Sequence, residues 1–442
     1  EPDIGSQSLG EDWLRRTRSE HVLKEEVEVL RHVTHRHSAD PEFLEELQKR
    51  RKDYIQRKKS AGDSVLDDSD FEDAFGDKGS WVVFGKPPAD GWFFDAYEDP
   101  YSAREWGSFP ANGGPLNQAG ICWASSMARS FGIAAASCKG CKYIGDTTVG
   151  QDNFAIASLS CGWKAICVFD GHGNNGHWPA LRAAQAMPYF LQEEQSSAAL
   201  RSGDAPGALS FAFKRVQEEM EAYAVQNEKD LHLCGATGTV ALIPPSGTSV
   251  WVATVGDSRA VLFDSQTPAL FQTTDHKVSR EDEAARIKQA GGKVIVSEYS
   301  DGTKDYRVAP KAMTSPQIAI SRSLGDLIFK DSGVVATPEI VQWRVTNPAA
   351  TFLLVCSDGV WEFLSAEDMR TLTLQALRSE GASAEEVVHG LLMHARHTWN
   401  DQEEYYCDDV TVLLASLSGS LPAKLRAPKE DCPGCKQGCP TQ

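Results

Sequence analysis

The sequence lacks the features that would place it in several specialised classes of protein. Its 442 residues contain no run of about 18 apolar residues, so no transmembrane helix is predicted. Basic residues number 44 against 62 acidic ones, and the net charge of −18 disfavours binding to nucleic acid. The eleven cysteines are an odd number and do not indicate a disulfide framework. No signal segment is evident. We expect an intracellular protein that is cytoplasmic, or nuclear or membrane-associated if its native N-terminus is acylated.

Three regions differ in composition. Residues 1–118 form a charged helical and aromatic extension, residues 119–418 contain strand-length apolar runs between Gly and Asp turns, and residues 419–442 form a Cys/Pro/Gly-rich tail. Two interpretations of the extension stay open, a solvated segment or a regulatory arm that binds a partner. Its aromatic part, from Trp81 to Phe109, has more aromatic side chains than disordered linkers usually hold, so we expect it to pack on the core.

The central region alternates predicted strands and helices. Six apolar runs are predicted to be strands: NFAIAS, KAICVF, TVALI, VWVATV, FLLVC and VTVLL. Residues 180–193 have a helical pattern. A second helix is predicted to begin at Ser279, with a capping box to Asp282, and to end at Gly291.

Aspartates stand where these predicted strands begin or end. Asp152 precedes NFAIAS and Asp170 follows KAICVF, so antiparallel pairing would bring both to the same sheet edge. Asp358 follows FLLVC and Asp408 precedes VTVLL in the same arrangement, and Asp257 lies just after VWVATV. A single Asp-Gly pair is usually a turn, but the repetition indicates a shared site.

Four or five carboxylates at one edge would repel one another by several kcal/mol without a compensating cation. Oxygen ligands, with no histidine or cysteine at zinc spacing beside them, favour Mg²⁺ or Mn²⁺ over zinc. The sequence therefore predicts a metal centre at this edge.

The stretch DGHGNNG also contains the spacing G-x-G-x-x-G of a dinucleotide-binding turn. That fold needs an acidic residue about 20 positions later, at the end of a second strand. Here the following segment, LRAAQAMPYFLQEE, has a helical pattern. The glycine spacing is therefore interpreted as coincidental.

Eight motifs, in order, resemble the metal-dependent protein phosphatases, the type 2C serine/threonine family: VGQDNF, VFDGHG, GATGTVALI, VATVGDSRAVL, DHKVSREDEAARIKQAGGKV, ISRSLGD with GVVATPEI, FLLVCSDGVWEFLS, and DDVTVLL. The resemblance covers roughly residues 119–418. It implies an α+β fold, a central sandwich of two antiparallel β-sheets flanked by α-helix layers (four-layer αββα). It also implies hydrolysis of phosphoserine and phosphothreonine in phosphoprotein substrates, with two Mg²⁺ or Mn²⁺ ions. We expect a monomer.

The resemblance implies metal-binding roles for six residues: Asp152, Asp170, Gly171, Asp257, Asp358 and Asp408. Asp170 resembles the carboxylate that bridges both metals, and the Gly171 carbonyl a ligand of the second metal. Asp257 is similar to a ligand of a third, weaker site. His172 resembles the general acid that acts beside Asp170 in catalysis.

Four departures from the family pattern are present, one of them the segment GATGT where GSTA-like residues are common. Thr147 stands where an arginine or lysine often binds the substrate phosphate, Gln151 replaces a glutamate, and Asp409 replaces an asparagine. We expect a loop lysine, Lys142 or else Lys139, to supply the missing cation for phosphate binding. The alternative is a catalytically inactive phosphatase fold that serves as a binding or scaffold protein.

Two Cys-x-x-Cys pairs, Cys138 with Cys141 and Cys432 with Cys435, leave a zinc site or a redox pair open as alternatives to ordinary loop cysteines.

Overall fold

The computed structural model describes residue 49 and residues 65–67, 70–71, 74–75, 80–84, 132–142, 149–311, 313–379, 384–403 and 406–419. Several features discussed above lie outside these residues. They are the predicted helices of the extension apart from Lys49, the aromatic segment after Phe84, Thr147, and the tail with Cys432 and Cys435.

Within the described residues, most strands form two antiparallel sheets. The first has the order β1-β3-β4-β6-β7-β13, with β5 joined to both β4 and β12, and the second has the order β2-β15-β14-β8-β9. Strands β10 and β11 form a separate hairpin. The strand bounds are β1 Trp81–Phe84, β2 Ile133–Cys138, β3 Asp152–Ser158, β4 Lys164–His172, β5 Gly235–Ala236, β6 Gly238–Ile243, β7 Ser249–Val255, β8 Arg259–Asp264, β9 Leu270–Gln272, β10 Lys293–Glu298, β11 Lys304–Ala309, β12 Leu324–Gly325, β13 Glu339–Arg344, β14 Thr351–Cys356 and β15 Val410–Ser416.

Helices cover the outer faces of the two large sheets, and the helix Glu281–Gln289 packs on the separate hairpin. Their bounds are α1 His177–Gln192, α2 Glu194–Ser202, α3 Ala205–Gln226, α4 Glu281–Gln289, α5 Leu327–Lys330, α6 Asp358–Trp361, α7 Ala366–Arg378 and α8 Ala384–Gln402, with a 3₁₀ turn at Pro348–Ala350. Helices α1 and α3 pack on the first sheet, α2 packs against these two helices, and α7 and α8 pack on the second sheet.

The central strands are apolar throughout because both of their faces are buried. Ile156 of β3 and Leu353 of β14 point into the core between the sheets. Their neighbours Ala155 and Phe352 belong to the cores under the two helix layers. Successive side chains of a strand alternate between faces, so a continuous apolar run fits a strand with helices on one side and a sheet on the other. The predicted four-layer αββα architecture is confirmed.

The local predictions were correct in part. All six predicted strands are present, and α1 begins three residues before the predicted start. The predicted capping box at Ser279 was wrong: the N-cap of α4 is Arg280, with no side-chain cap hydrogen bond. Asp282, the expected partner of Ser279, instead accepts a hydrogen bond of 2.8 Å from the Arg280 guanidinium. A charged partner two residues away therefore takes the carboxylate that the cap would need.

Strand β1 adds an edge strand to the first sheet. It pairs antiparallel with β3, with Trp81 opposite Ser158 and Phe84 opposite Ala155. Leu66 and Phe75 also pack against the core under α1 and α3, and Phe71 is part of that core. These parts of the extension are thus in contact with the sandwich.

Candidate active site

The first pair of predicted site residues comes from adjacent strands of the first sheet. Asp152, the first residue of β3, lies directly opposite Asp170 near the end of β4. The expected antiparallel register is therefore present, because the start of one strand and the end of its neighbour meet at one edge.

The second pair comes from the second sheet at the same end of the sandwich. Strands β14 and β15 pair with Cys356 opposite Val412, so Asp358 follows one strand and Asp408 precedes the other. The carboxyl groups of Asp170 and Asp358 share a hydrogen bond, which joins the two pairs across the sheets. The structure thus brings four predicted aspartates together.

The electrostatics of these aspartates reflect their crowding. Burial and then the charges of Asp358, Asp152 and Asp408 raise the pKa of Asp170 well above its usual range. The pKa of Asp358 is raised by burial and then by the charges of Asp257, Asp408 and Asp152. Like charges at short range disfavour ionisation. A cation at this edge would relieve the repulsion.

Asp152 connects the two sheets through hydroxyl groups. Its Oδ2 accepts hydrogen bonds of 2.6 Å from the Ser357 hydroxyl and 2.7 Å from the Thr411 hydroxyl. Ser357 directly follows β14 and Thr411 lies in β15, so both belong to the second sheet. Within the described part of the chain, its Oδ1 is buried without a hydrogen-bond partner. Burial and the charge of Asp409 raise the pKa of Asp152 to about 7. One oxygen is thus fixed by two hydrogen bonds, whereas the other accepts none from the described residues.

Gly171 lies where the backbone is closely packed. A Cβ atom on this residue would come within 2.1 Å of the Gly176 carbonyl oxygen and 2.7 Å of that of Gln151. Gln151 also holds the loop after β4, because its Nε2 donates to the Gly173 carbonyl at 2.7 Å. Only glycine fits at position 171, as expected where the backbone must approach a bound group closely.

Lys142 lies at the edge of the aspartate cluster. Its ammonium donates to Gln151 Oε1 at 3.1 Å and is 3.6 Å from Asp408 Oδ1. Burial would lower the pKa of Lys142, but the surrounding carboxylates, chiefly Asp408 and Asp409, outweigh it and raise the pKa. Lys139 is buried and donates to the Gly140 carbonyl instead. Of the two lysines, Lys142 is the one whose ammonium group lies beside the carboxylate of Asp408.

Asp409, the residue that replaces an asparagine, has a structural position. Its two carboxylate oxygens accept hydrogen bonds from the backbone amides of Gly140 at 2.6 Å and Gln151 at 2.5 Å. The carboxylate thus fastens the segment after β2, which carries Lys142, to the start of β3.

Two further groups at the site were missed at the sequence level. His172 Nε2 is 2.7 Å from Oδ2 of Asp326, and Tyr406 donates its hydroxyl proton to Asp408 Oδ2 at 3.0 Å. Asp326 ends the motif ISRSLGD, and an aspartate directly after a glycine at a strand end was the signal available. Tyr406 is two residues before Asp408, too close in sequence for spacing to indicate a role.

Asp257 follows β7 as predicted, but its nearest charged partner is a lysine. Its Oδ2 is 3.5 Å from Lys277 Nζ. Burial raises the pKa of Asp257, and the charge of Lys277 opposes that rise. The charge of this carboxylate is therefore partly compensated by Lys277.

The donor atoms fit a hard divalent cation, although no complete cage is formed. Among the described residues, no three His, Cys, Asp or Glu side chains are arranged to hold a metal ion. The available donors at this edge are nevertheless carboxylate and carbonyl oxygens, including the unpartnered Oδ1 of Asp152. Mg²⁺ and Mn²⁺ prefer such ligands.

Six of the seven described cysteines are buried, and none of the seven belongs to a group of side chains in the described residues that could hold a zinc ion. Cys138 accepts a hydrogen bond of 3.1 Å from the Arg396 guanidinium, and burial raises the pKa of its thiol. Cys141 forms an isolated antiparallel bridge with Cys407. A contribution from Cys432 and Cys435 stays a prediction.

None of the helices in the described residues is long and apolar enough to span a membrane.

Solved structures share this fold. A serine-threonine phosphatase 2C from Toxoplasma gondii superposes with a TM-score of 0.53 at 19% identity, covering 64% of this chain and 93% of that chain. A sex determining protein of C. elegans gives a TM-score of 0.52 at 20% identity, covering 64% of each chain. At these identities the likeness shows the fold alone.

Sequence relatives carry the assignment further. "Probable protein phosphatase 2C 61" of Arabidopsis thaliana is 32% identical over 277 residues, which cover 60% of this chain and 79% of the relative. "Probable protein phosphatase 2C 72" of the same plant is 29% identical over 292 residues, covering 63% and 84%. The family model described as protein phosphatase 2C matches residues 136–399, the span that carries most of the aspartate cluster and the sandwich. The chain belongs to the protein phosphatase 2C family.

Proposed function

We propose that the protein hydrolyses phosphoserine and phosphothreonine in phosphoproteins, and that it requires Mg²⁺ or Mn²⁺. The observation that carries this proposal is the convergence of Asp152, Asp170, Asp358 and Asp408 at one end of the sandwich in a member of a phosphatase family. Metal dependence is general to that family.

The proposed ligands are all oxygen donors. Asp170, Asp358 and Asp408, with the carbonyl of Gly171 and the nearby Asp152, would hold two divalent ions, and Asp257 would contribute to a third, weaker site. When bound, such ions neutralise charge on a phosphoryl group and lower the pKa of a water for in-line attack.

The chain's own side chains would carry out the remaining work. His172 would protonate the oxygen of the departing serine or threonine, a contribution of roughly 10² to 10⁴ in rate. Lys142 would contact the phosphate as a point charge, because an ammonium group lacks the bidentate geometry of arginine.

A catalytically inactive binding module is the alternative. The observation that favours it is the presence of two lysines, Lys142 and Lys277, 3.6 Å and 3.5 Å from the carboxylates of Asp408 and Asp257. These ammonium groups partly neutralise the cluster without a metal ion.

The test is turnover of a phosphothreonine peptide with Mn²⁺ and after chelation, together with Mn²⁺ binding followed as a rise in melting temperature. Asp170→Asn and Asp358→Asn are expected to abolish both turnover and the Mn²⁺-dependent rise, because each removes a charge that the cations need. The matched control is Asp331→Asn, an exposed aspartate at the end of α5, which should behave as wild type.

Retention of more than about a tenth of wild-type kcat/KM in either cluster variant would show that the assigned centre is wrong. A wild-type protein that binds Mn²⁺ but does not turn over the peptide would support the inactive module.

A further inference from the structure

His172 does not stand alone at the proposed active site. Its Nε2 is 2.7 Å from Oδ2 of Asp326, and the side chain of His172 is 29% exposed whereas that of Asp326 is 2% exposed. The imidazole thus lies at the surface of the site with a buried carboxylate behind it.

The end of β4 and two short strands produce this contact between residues 154 positions apart. His172, at the end of β4, lies opposite Gly235 of β5, and Gly235 lies opposite Gly325 of β12. Asp326 follows Gly325 directly, so its side chain passes over β5 to reach the histidine.

The path of the Asp326 side chain depends on the missing side chain of Gly235. A Cβ atom at Gly235 would lie 2.3 Å from Asp326 Oδ2 and 2.5 Å from the Leu324 carbonyl oxygen. No real side chain tolerates such contacts, so any larger residue at position 235 would displace the carboxylate from His172.

Asp326 also has a left-handed backbone conformation, with φ of 53° and ψ of 49°. Residues other than glycine seldom adopt this conformation, although aspartate does so more often than most. Strained backbone of this kind persists where the surrounding structure holds it, and it is often found at functional sites.

The buried carboxylate is kept ionised by its neighbours. Burial would raise the pKa of Asp326, but the charges of His172 and Lys330 outweigh burial and hold the pKa below its usual range. Lys330 is itself fixed by a hydrogen bond of 2.6 Å to the Ser323 carbonyl. An ionised carboxylate only accepts hydrogen bonds, so the nitrogen that faces it must carry a proton.

We propose that Asp326 is a positioning residue for the hydrolysis: it fixes the His172 ring with a proton on Nε2, so that Nδ1 is the nitrogen that serves the leaving group. This inference rests on the proposed function. The water oxygen bonds to phosphorus, and the bond from phosphorus to the serine or threonine oxygen breaks. The departing oxygen keeps the electron pair of that bond and takes the Nδ1 proton of the doubly protonated ring. The attacking water loses its proton to solvent, and neutral imidazole with hydrogen on Nε2 remains.

The kinetic test compares two substrates that differ in their need for an acid. A phosphothreonine peptide has a poor leaving group, whereas p-nitrophenyl phosphate needs little protonation. Asp326→Asn is expected to lower kcat for the peptide by about 10-fold or more, with KM unchanged, and to change kcat for p-nitrophenyl phosphate by less than about threefold. Asp331→Asn, five residues along, is the control and should leave both substrates unaffected.

A double variant separates positioning from a purely structural role. If Asp326 acts through the imidazole, His172→Ala/Asp326→Asn should be no slower on the peptide than His172→Ala alone. Equal losses on both substrates, or additive losses in the double variant, would overturn the proposal. If the wild-type protein hydrolyses neither substrate, the proposed function fails instead.

A measurement on the unmutated protein covers the case in which Asp326→Asn does not fold. In a ¹⁵N-histidine-labelled sample with Mg²⁺, the ring signals assigned by their absence in His172→Ala should show hydrogen on Nε2. A proton on Nδ1 alone would rule the arrangement out. Gly235→Ala, which directs a Cβ at the Asp326 carboxylate, should reproduce the selective loss on the peptide substrate.

Discussion

Arg182 makes the most heavily buried ion pair between the helices that cover the first sheet, and its removal should strongly destabilise the protein. The side chains of Arg182 in α1 and Glu219 in α3 are 5% and 3% exposed. The Arg182 Nε donates to both carboxylate oxygens of Glu219, at 2.9 Å and 3.0 Å. The guanidinium also lies 4.7 Å from the ring centre of Phe71 and 4.2 Å from that of Tyr223, and it donates to the Leu66 carbonyl.

The expected magnitude follows from these contacts. Replacing Arg182 by methionine leaves a buried carboxylate unpaired, which costs about 3 to 5 kcal/mol. Each of the two cation–π contacts adds about 0.5 to 2 kcal/mol. We therefore expect Arg182→Met to lower the free energy of unfolding by about 4 kcal/mol at neutral pH, from the sum of these terms reduced by partial relaxation.

The stability lost in Arg182→Met should increase with pH. Burial raises the pKa of Glu219, and the bonds and charge of Arg182 oppose that rise. Without Arg182 the folded-state pKa rises further above the unfolded value, so the folded protein binds more protons than the unfolded chain across that interval. Stability is then retained at low pH and lost as pH rises through the folded-state pKa. The difference between variant and wild type should be smaller near pH 5 than near pH 8.

The assay is urea unfolding followed by tryptophan fluorescence at both pH values. The control is Arg201→Met, whose pair with Glu194 is exposed and should be worth less than about 1 kcal/mol. Arg182→Met/Glu219→Leu removes both charges and should recover most of the stability lost by the single variant. The reasoning is refuted if Arg182→Met costs no more than the control, or if the double variant is as unstable as the single one.

Two further predictions concern the site and its support. Lys142→Ala should raise KM for a phosphopeptide and weaken inhibition by free phosphate, with a smaller effect on kcat, because it removes a cation beside the proposed phosphate position; steady-state kinetics that show no change in KM would contradict this role. His276 is fully buried, its Nδ1 donates to the Gly256 carbonyl at 3.1 Å, and burial followed by the charge of Arg322 lowers its pKa to about 4. A lowered histidine pKa means that the unfolded chain binds the extra proton, so stability should fall by roughly 3 kcal/mol as pH drops from 6.5 to 4. When the free energy of unfolding, measured with urea, is plotted against pH over this range, it should fall less steeply for His276→Gln than for wild type. An equally steep fall would assign the acid sensitivity to other groups.

The strand-end aspartates were predictable because their positions follow from local pattern. Each central strand is an uninterrupted apolar run, and in an antiparallel pair the start of one strand must meet the end of the next. The meeting of Asp152 with Asp170 therefore needed only the assumption of adjacent pairing, which the structure confirms.

The contacts that were missed depend on long-range packing. Asp326 reaches His172 only because two glycines allow two short strands to lie beside the end of β4, and a two-residue strand leaves no periodic pattern in a sequence. The cap at Ser279 failed for a different reason, since Arg280 competes for the same carboxylate. Side-chain competition within one turn is decided by geometry that residue types alone do not specify.

The hydrogen bonds from two hydroxyl groups to Asp152 affect how the two sheets can move relative to each other. The proposed ligands are divided between two sheets, and the apolar packing that holds the sheets together has no preferred direction, so it resists separation better than it resists sliding. The bonds from Ser357 and Thr411 to Asp152 are directional, and they cross from one sheet to the other at the end where the site lies. They therefore oppose sliding of one sheet relative to the other. A displacement of about 1 Å between reacting groups can cost about 10² in rate. Loss of these two hydroxyl groups should therefore lower the catalytic rate more than it lowers the stability of the fold.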